Sequence, residues 1–255
     1  MANDPKCILI TGCGRGLGKE LLKVYSGLGY RIIGVDLGYE PELAGHYPQA
    51  DLRSLDLSDQ LQVRDLASSL IKNGPLPDLV VLNAAVHAED NSTSIDWESF
   101  QKTIAVNMGS VFLLLALLMP ALQKPCTFIF CSSGVIIFPN PSYLGYFVSK
   151  LAVTRVFDLF AFRYARRGFR FKSVILGPLK SEMLEMSAPP KGLVKVLRNL
   201  TTGNFQELAA KIVTFAESPK RRLYYRRSSA VILWIARAVQ RLLPQRFRVY
   251  QIRVG

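Results

Sequence analysis

The sequence predicts an α/β protein: one doubly wound domain in which a parallel sheet of about seven strands is covered by helices on both faces. Three observations carry this. Apolar runs alternate with helix-like segments along the whole chain. The strand-like runs are apolar on both faces, as strands of a buried parallel sheet are. The first run, Cys7-Ile-Leu-Ile10, passes through a glycine-rich turn, Thr11-Gly-Cys-Gly-Arg-Gly-Leu-Gly18, straight into the helix-like Leu17-Gly-Lys-Glu-Leu-Leu-Lys-Val24.

The elements follow in order. A strand over 6–11 leads through the turn to a helix over 17–26, and a second strand, 31–36, closes its apolar run on Asp36. A third strand, 52–56, precedes a helix over 59–73 and a strand over 79–83. The helix over 97–123 contains the apolar run Val111–Met119, which is too short to cross a bilayer and reads as a buried helix. A strand over 127–132, a helix over 143–167 and a strand over 170–176 come next. The stretch 182–204, with Pro189-Pro190 and Gly192, is the longest irregular segment, and a loop of that length in a compact domain usually serves function, often as a lid. A helix over 204–217, a short strand over 223–226 and a helix over 228–243 complete the chain. No repeat, low-complexity tract or linker divides it.

Composition narrows the function classes. A chain of 255 residues with 49% apolar content buries a full core as one domain. The N-terminus carries no secretory signal, which favours a cytoplasmic location. Cys7, Cys13, Cys126 and Cys131 form no Cys-x-x-Cys pair and read as small core residues in a reducing compartment. His46 and His87 are too few and too scattered for a zinc cluster, so no metal is expected. His87, after a strand end, reads as an ordinary polar loop residue, with pocket lining as the alternative. Net charge is +13, but ten basic and no acidic residues lie from Pro219 onward, leaving 22 basic against 19 acidic in the first 218.

The turn carries chemistry. Glycines let the backbone bend tightly and approach a ligand, while the helix N-terminus offers free N–H groups to a pyrophosphate. Asp36, some twenty residues on, is placed to accept from ribose hydroxyls. It would repel a 2′-phosphate and so favours NAD over NADP. Arg15 pulls the other way, but Leu37 stands where a second basic clamp would be needed.

The chain resembles the short-chain dehydrogenase/reductase family along nearly its whole length. Thr11-Gly12-x-x-x-Gly16-x-Gly18 matches its cofactor turn, with Gly14, Arg15 and Leu17 inside it. Asp56, followed by Leu57, matches the acidic residue at the adenine ring, and Asn83-Ala84-Ala85 resembles its Asn-Ala-Gly, with alanine where glycine is usual. Asn107 matches its helix asparagine, Ser133 its strand-five serine, and Tyr146-Phe-Val-Ser-Lys150 its Tyr-x-x-x-Lys, thirteen residues after the serine. Gly177-Pro178-Leu179-Lys180-Ser181 resembles the segment that meets the nicotinamide carboxamide, through Ser181. The resemblance implies a Rossmann fold, an NAD(P) cofactor, a small-molecule carbonyl or alcohol substrate, and a homodimer or tetramer. It also implies a domain over 1–218 that holds both cofactor and catalytic residues.

The residue types suit hydride chemistry. An alkoxide left by carbonyl reduction must gain a proton, and alcohol oxidation must lose one. A free tyrosine, with a pKa near 10, is a poor base at neutral pH. Lys150, one helical turn beyond Tyr146, is expected to favour the phenolate by its charge. Ser133 would hold the substrate oxygen, and the resemblance implies that Asn107 holds a water linking Lys150 to solvent. Tyr143 competes for the acid/base role but has Phe147, not lysine, four residues on. A cofactor-binding sensor or scaffold without turnover is the rival class, which would not need these four residues together.

The pocket and the tail are less legible. Met183, Leu184, Met186, Leu193, Val194, Val196 and Leu197, with Ile136, Ile137 and Phe138, either line a pocket for an apolar or lipid-like compound or seal the lid against the core. The extension 219–255 carries a helix whose Val231, Trp234, Ile235, Ala238, Val239 and Leu242 form an apolar stripe opposite Arg237 and Arg241. That pattern suits peripheral contact with an anionic membrane, the alternative being packing on the domain or a partner subunit. Nucleic acid is not expected, since no recognised motif accompanies the basic residues.

Overall fold

The computed structural model describes residues 5–87, 94–137, 141–177 and 203–225. Seven strands, β1 (Cys7–Thr11), β2 (Arg31–Asp36), β3 (Asp51–Ser54), β4 (Leu79–Leu82), β5 (Thr127–Ser133), β6 (Arg170–Leu176) and β7 (Arg222–Tyr224), form one sheet in the order β3-β2-β1-β4-β5-β6-β7. Every pairing is parallel. Crossing from β3 back to β4 reverses the direction in which strands are added. Chain leaving β1 and chain leaving β4 therefore diverge and open a crevice at the carboxyl ends of the strands.

The runs that are apolar on both faces have their reason in two cores. Successive side chains of a strand point to opposite faces. Leu9, Val80, Leu82, Phe128 and Phe130 thus pack into one cluster with the helices α3 (Gln60–Asn73), α5 (Ser110–Ala121) and α6 (Leu144–Arg163). Ile8, Ile10, Val81, Ile129 and Cys131 pack into the other, with α1 (Gly16–Gly27) and α7 (Phe205–Glu217). All four cysteines are buried and free, and burial pushes the Cys7 thiol up to about 11 and those of Cys13 and Cys131 to about 12.

Some boundaries differ from the expected ones, each for a local reason. The third strand ends at Ser54, not 56, because Asp56 leaves the ladder to accept from the N–H and the hydroxyl of Ser58 (2.7 Å each). The helices expected to begin at 59 and 204 begin one residue later, with Asp59 and Asn204 as their N-caps. A short helix, α2 (Pro41–His46), was not anticipated, although proline at a first helical position is its signal. The helix expected over 143–167 stops at Arg163 and continues as a 3-10 turn, Ala165–Arg167, closed by Gly168 at φ +74°. The last strand among the described residues is Arg222–Tyr224, which begins one residue earlier than the expected 223–226 and ends two residues earlier.

The segment Trp97–Ala121 is one continuous helix, long and apolar enough by length and composition to cross a membrane. Its Val111, Leu114, Leu115, Leu118 and Met119 are nevertheless buried in the first core, facing α3. It is broken into α4 (Trp97–Ile104), a π-helical turn at Ala105–Gly109, and α5. Such turns mark places where a helix yields to a local demand. Here the demand is Asn107, which sits in the turn with its side chain fully buried.

Candidate active site

At the β1 end of the crevice the glycine-rich turn is tied to both neighbouring strands. Thr11 Oγ1 accepts from the N–H groups of Asn83 (3.0 Å) and Ala84 (3.1 Å), and Asn83 Nδ2 donates to the Gly12 carbonyl (3.0 Å). Gly12 adopts φ +71°, and a Cβ on it would lie 2.8 Å from the Ala84 Cα. A Cβ on Gly18 would stand 1.7 Å from the Gly12 oxygen, so the first turn of α1 rests directly on the turn's backbone. Both positions exclude any side chain. On the β2 side, the Asp36 carboxylate accepts from Gly14 N–H (2.7 Å) and Leu37 N–H (2.8 Å). Asp36 thus orients the turn as well as offering charge to it.

The other residues expected at this end divide by burial. Arg15 is exposed at the N-cap position of α1, and the Phe205 ring faces Gly16, 3.2 Å from where its Cβ would be. The side chains of Leu17 and Leu57 belong to the two cores, leaving their backbone as the part that borders the crevice. Asp56 is half-buried, and its bonds from Ser58 hold its carboxyl below the usual carboxylate range. Ala84, Ala85 and Gly177 are half-buried at the ends of β4 and β6. Pro178, Leu179 and Ser181, the lid residues and the helix expected over 228–243 lie outside the described residues.

At the β5 end, Ser133 terminates its strand and α6 carries Tyr146 and Lys150 on one face. The Ser133 hydroxyl hydrogen-bonds the Tyr146 phenol. Lys150 is 1% exposed; its Nζ donates to the Cys131 carbonyl (2.8 Å) and lies 4.8 Å from the Phe130 ring centroid and 5.5 Å from that of Tyr146. Thr154, one turn further, bonds Ser132 (2.7 Å) and the Lys150 carbonyl (2.6 Å), joining α6 to β5.

Lys150, helped by the positive charge of an oxidised nicotinamide, was expected to lower the pKa of the Tyr146 phenol; the protein's own groups act otherwise. Burial instead raises the phenol, and the bond from Ser133 offsets this only in part. The lysine itself is pushed down to about 8 by the same burial. The physical reason is direction: the ammonium is spent on a backbone carbonyl and a phenylalanine face, and the tyrosine receives no direct bond from it.

The Asn107 side chain is engaged by protein groups. Its side-chain oxygen accepts from Val86 N–H (2.9 Å), while its Nδ2 donates to the Val86 carbonyl (2.8 Å) and to Ser149 Oγ (3.2 Å). The amide clamps the loop after β4 to α6. Sequence reasoning missed Ser149, whose position inside Tyr-x-x-x-Lys was the available signal. It also underrated His87, whose ring stacks on Tyr143 (5.3 Å) and meets Tyr146 edge-on (5.9 Å).

Comparison with known proteins places the chain in a family. A family model described as short chain dehydrogenase matches residues 6–191. The chain is 25% identical over 228 residues to a 3-oxoacyl-(acyl-carrier-protein) reductase of Thermotoga maritima, covering 86% of this chain and 92% of that one. It is 27% identical over 239 residues to a glucose 1-dehydrogenase of Gluconobacter oxydans, covering 83% and 85%. Among solved structures, a short-chain dehydrogenase from Streptomyces avermitilis superposes with a TM-score of 0.80 at 18% identity, over 94% of this chain and 95% of that one. One from Leptospira borgpetersenii, solved with bound NAD+, superposes with a TM-score of 0.74 at 17% identity, over 87% and 91%. The chain belongs to the short-chain dehydrogenase/reductase family of oxidoreductases.

Proposed function

We propose that the protein interconverts a carbonyl and a secondary alcohol with NAD(H) as cofactor, Tyr146 acting as the acid/base. The observation that carries this reading is the bonded Ser133–Tyr146 pair at one end of a crevice whose other end is a turn that no side chain can enter. The residues present fit a dinucleotide. Gly12, Gly14, Gly16 and Gly18 let the backbone turn tightly against its neighbours at the start of α1, where free N–H groups would meet a pyrophosphate, and Asp36 stands at the ribose end. The nicotinamide, when bound, gives or takes the hydride.

This chain's own residues handle the proton. Ser133 donates to the substrate oxygen and holds it beside the phenol. With its pKa raised, Tyr146 stays protonated at neutral pH and is ready to donate to a forming alkoxide. In the oxidative direction the same phenol must first lose its proton, so that rate should climb as pH rises. Lys150, shared between Cys131 and the Tyr146 flank, would turn to the cofactor ribose. Thr11 and Asn83 keep the two walls of the crevice in register. Asp36 supports NAD over NADP, because a 2′-phosphate would meet its carboxylate while that carboxylate holds the Gly14 N–H.

Three finer readings belong here. An apolar substrate is favoured by the apolar content of the lid sequence. Assembly into a dimer or tetramer is favoured by Leu159 and Phe162 of α6, which are 59% and 69% exposed. Peripheral membrane contact rests on the sequence of the basic tail alone, and co-sedimentation with anionic vesicles that weakens with salt would test it.

The deciding experiment is a screen of lipid, steroid and sugar-derived ketones with NADH and NADPH, following cofactor absorbance. At least one ketone should be reduced by the parent and not by Tyr146→Phe. Cofactor binding without turnover of any of them would favour the sensor or scaffold.

A further inference from the structure

We propose that His87 is a positioning residue for Tyr146: an aromatic wedge that sets the angle of the phenol ring and is itself placed by Asn107. The inference rests on the reading of Tyr146 as the acid/base and deepens it.

A closed circuit of contacts carries the proposal. Asn107, fully buried in the π-helical turn, grips both backbone groups of Val86. An amide presents one acceptor edge and one donor edge, so this double bond admits a single orientation of the loop. The next residue, His87, lies nearly parallel to Tyr143, with an interplanar angle of 22°, and meets the Tyr146 ring at 66°. These are the offset-stacked and edge-to-face geometries that aromatic quadrupoles favour. From Tyr146 the circuit returns through its own carbonyl, which accepts from Ser149 Oγ (2.8 Å), and Ser149 in turn accepts from Asn107 Nδ2 (3.2 Å). One buried amide therefore governs the helix backbone beneath the tyrosine and the ring beside it.

The division of labour follows from which atom each neighbour touches. Ser133 holds the phenol oxygen, and a hydrogen bond to that oxygen still lets the ring turn about its long axis. An edge-on neighbour resists that turn. The contact that the geometry shows is ring against ring. The phenol oxygen lies on the axis of that turn and stays in place, but the O–H, which conjugation keeps near the ring plane, swings with it, so fixing the ring keeps the O–H aimed along the line on which a proton is exchanged.

The test uses the full chain carrying ring-labelled tyrosine. The Tyr146 resonances are identified as those missing from Tyr146→Phe, and its ring-flip rate is measured by NMR. In His87→Ala the flip should accelerate at least tenfold and the ring resonances should move as the neighbouring ring current is lost. His87→Phe should restore slow flipping. If the alanine variant does not fold, His87→Leu fills similar space without a flat ring and should flip as fast as alanine is expected to. With a ketone that passes the screen above, His87→Ala should lower kcat ten- to hundredfold with KM for NADH within twofold of the parent, and His87→Phe should return kcat to within threefold. An unchanged flip rate in His87→Ala overturns the proposal, as does a phenylalanine variant as impaired as the alanine one. Should the parent reduce no ketone, the oxidoreductase reading fails, while the flip rates still decide whether His87 holds the ring.

Discussion

The two ends of the crevice are built on opposite principles. At the β1 end the working surface is backbone: glycines without room for a Cβ, N–H groups of a helix start, and an Asp36 carboxylate that accepts from the N–H groups of Gly14 and Leu37 at 2.7 and 2.8 Å. At the β5 end it is side chains, with a half-buried phenol, an ammonium withdrawn from water and a fully buried amide beneath them. Backbone geometry demands particular residues at particular spacings. Buried side chains instead store a free-energy cost that the surrounding fold must hold in place. A change at the first end should therefore disturb the structure of the turn, whereas a change at the second should disturb chemistry and its pH dependence.

The largest effect is expected at the chemical end. Tyr146→Phe removes the transferable proton and little volume, so turnover should fall by about 10²–10⁴-fold, with cofactor affinity within about twofold by titration calorimetry. Activity within tenfold of the parent would pass the acid/base role to a neighbour, Tyr143 first.

Gly18→Ala probes the backbone end. Its Cβ would meet the Gly12 oxygen at 1.7 Å, and that atom is main chain with no rotamer to move aside. The cost should be at least about 1–3 kcal/mol, seen as a melting temperature lower by several degrees. A variant as stable as the parent would mean the turn is less tightly seated than the contact implies.

The pH dependence of stability separates the two ends. Lys150 is pushed down to about 8 by burial, against an ordinary value near 10.5. Below pH 8 the lysine is charged in both folded and unfolded protein, and its desolvation is a constant cost. Between about 8 and 10.5 the unfolded chain binds the proton more than the folded one, so stability rises with pH through that window and levels off above it. The rise from this group should be on the order of 1–3 kcal/mol. Urea titrations across the window should show it in the parent and a flatter curve in Lys150→Met. Lys172, buried on β6 and also pushed down to about 8, adds a slope of the same sign in both proteins, while the buried cysteine thiols, raised from about 9, oppose it in both, so the difference between the two curves is what reports Lys150.

The smallest effect expected is at Asp36. Asp36→Ala removes repulsion of a 2′-phosphate, which favours NADP(H), but also releases the Gly14 and Leu37 N–H groups, which loosens the turn for both cofactors. NAD(H) affinity should fall about tenfold, roughly 1.4 kcal/mol, and NADP(H) affinity should change less. Tighter NADP(H) binding by the unaltered protein would show that Arg15 outweighs Asp36.

Much of this molecule is written locally. The strand-turn-helix at Thr11–Gly18, the acid closing β2, the runs apolar on both faces and the i, i+4 spacing of Tyr146 and Lys150 follow from short-range rules of backbone shape and side-chain period. Those rules also place the caps Asp59 and Asn204. What only the tertiary structure decided depends on groups far apart in sequence. The direction of the Lys150 ammonium was set by the Cys131 carbonyl nineteen residues away. The rise of the Tyr146 pKa came from desolvation by the neighbouring elements that half-bury it. The π-helical turn and the grip of Asn107 on Val86, twenty-one residues away, arose because a buried amide must find partners wherever the fold brings them. The contact between His87 and Tyr146 has the same origin. Local periodicity names the residues, but desolvation and hydrogen-bond satisfaction are properties of the packed interior, and they decide what those residues are able to do.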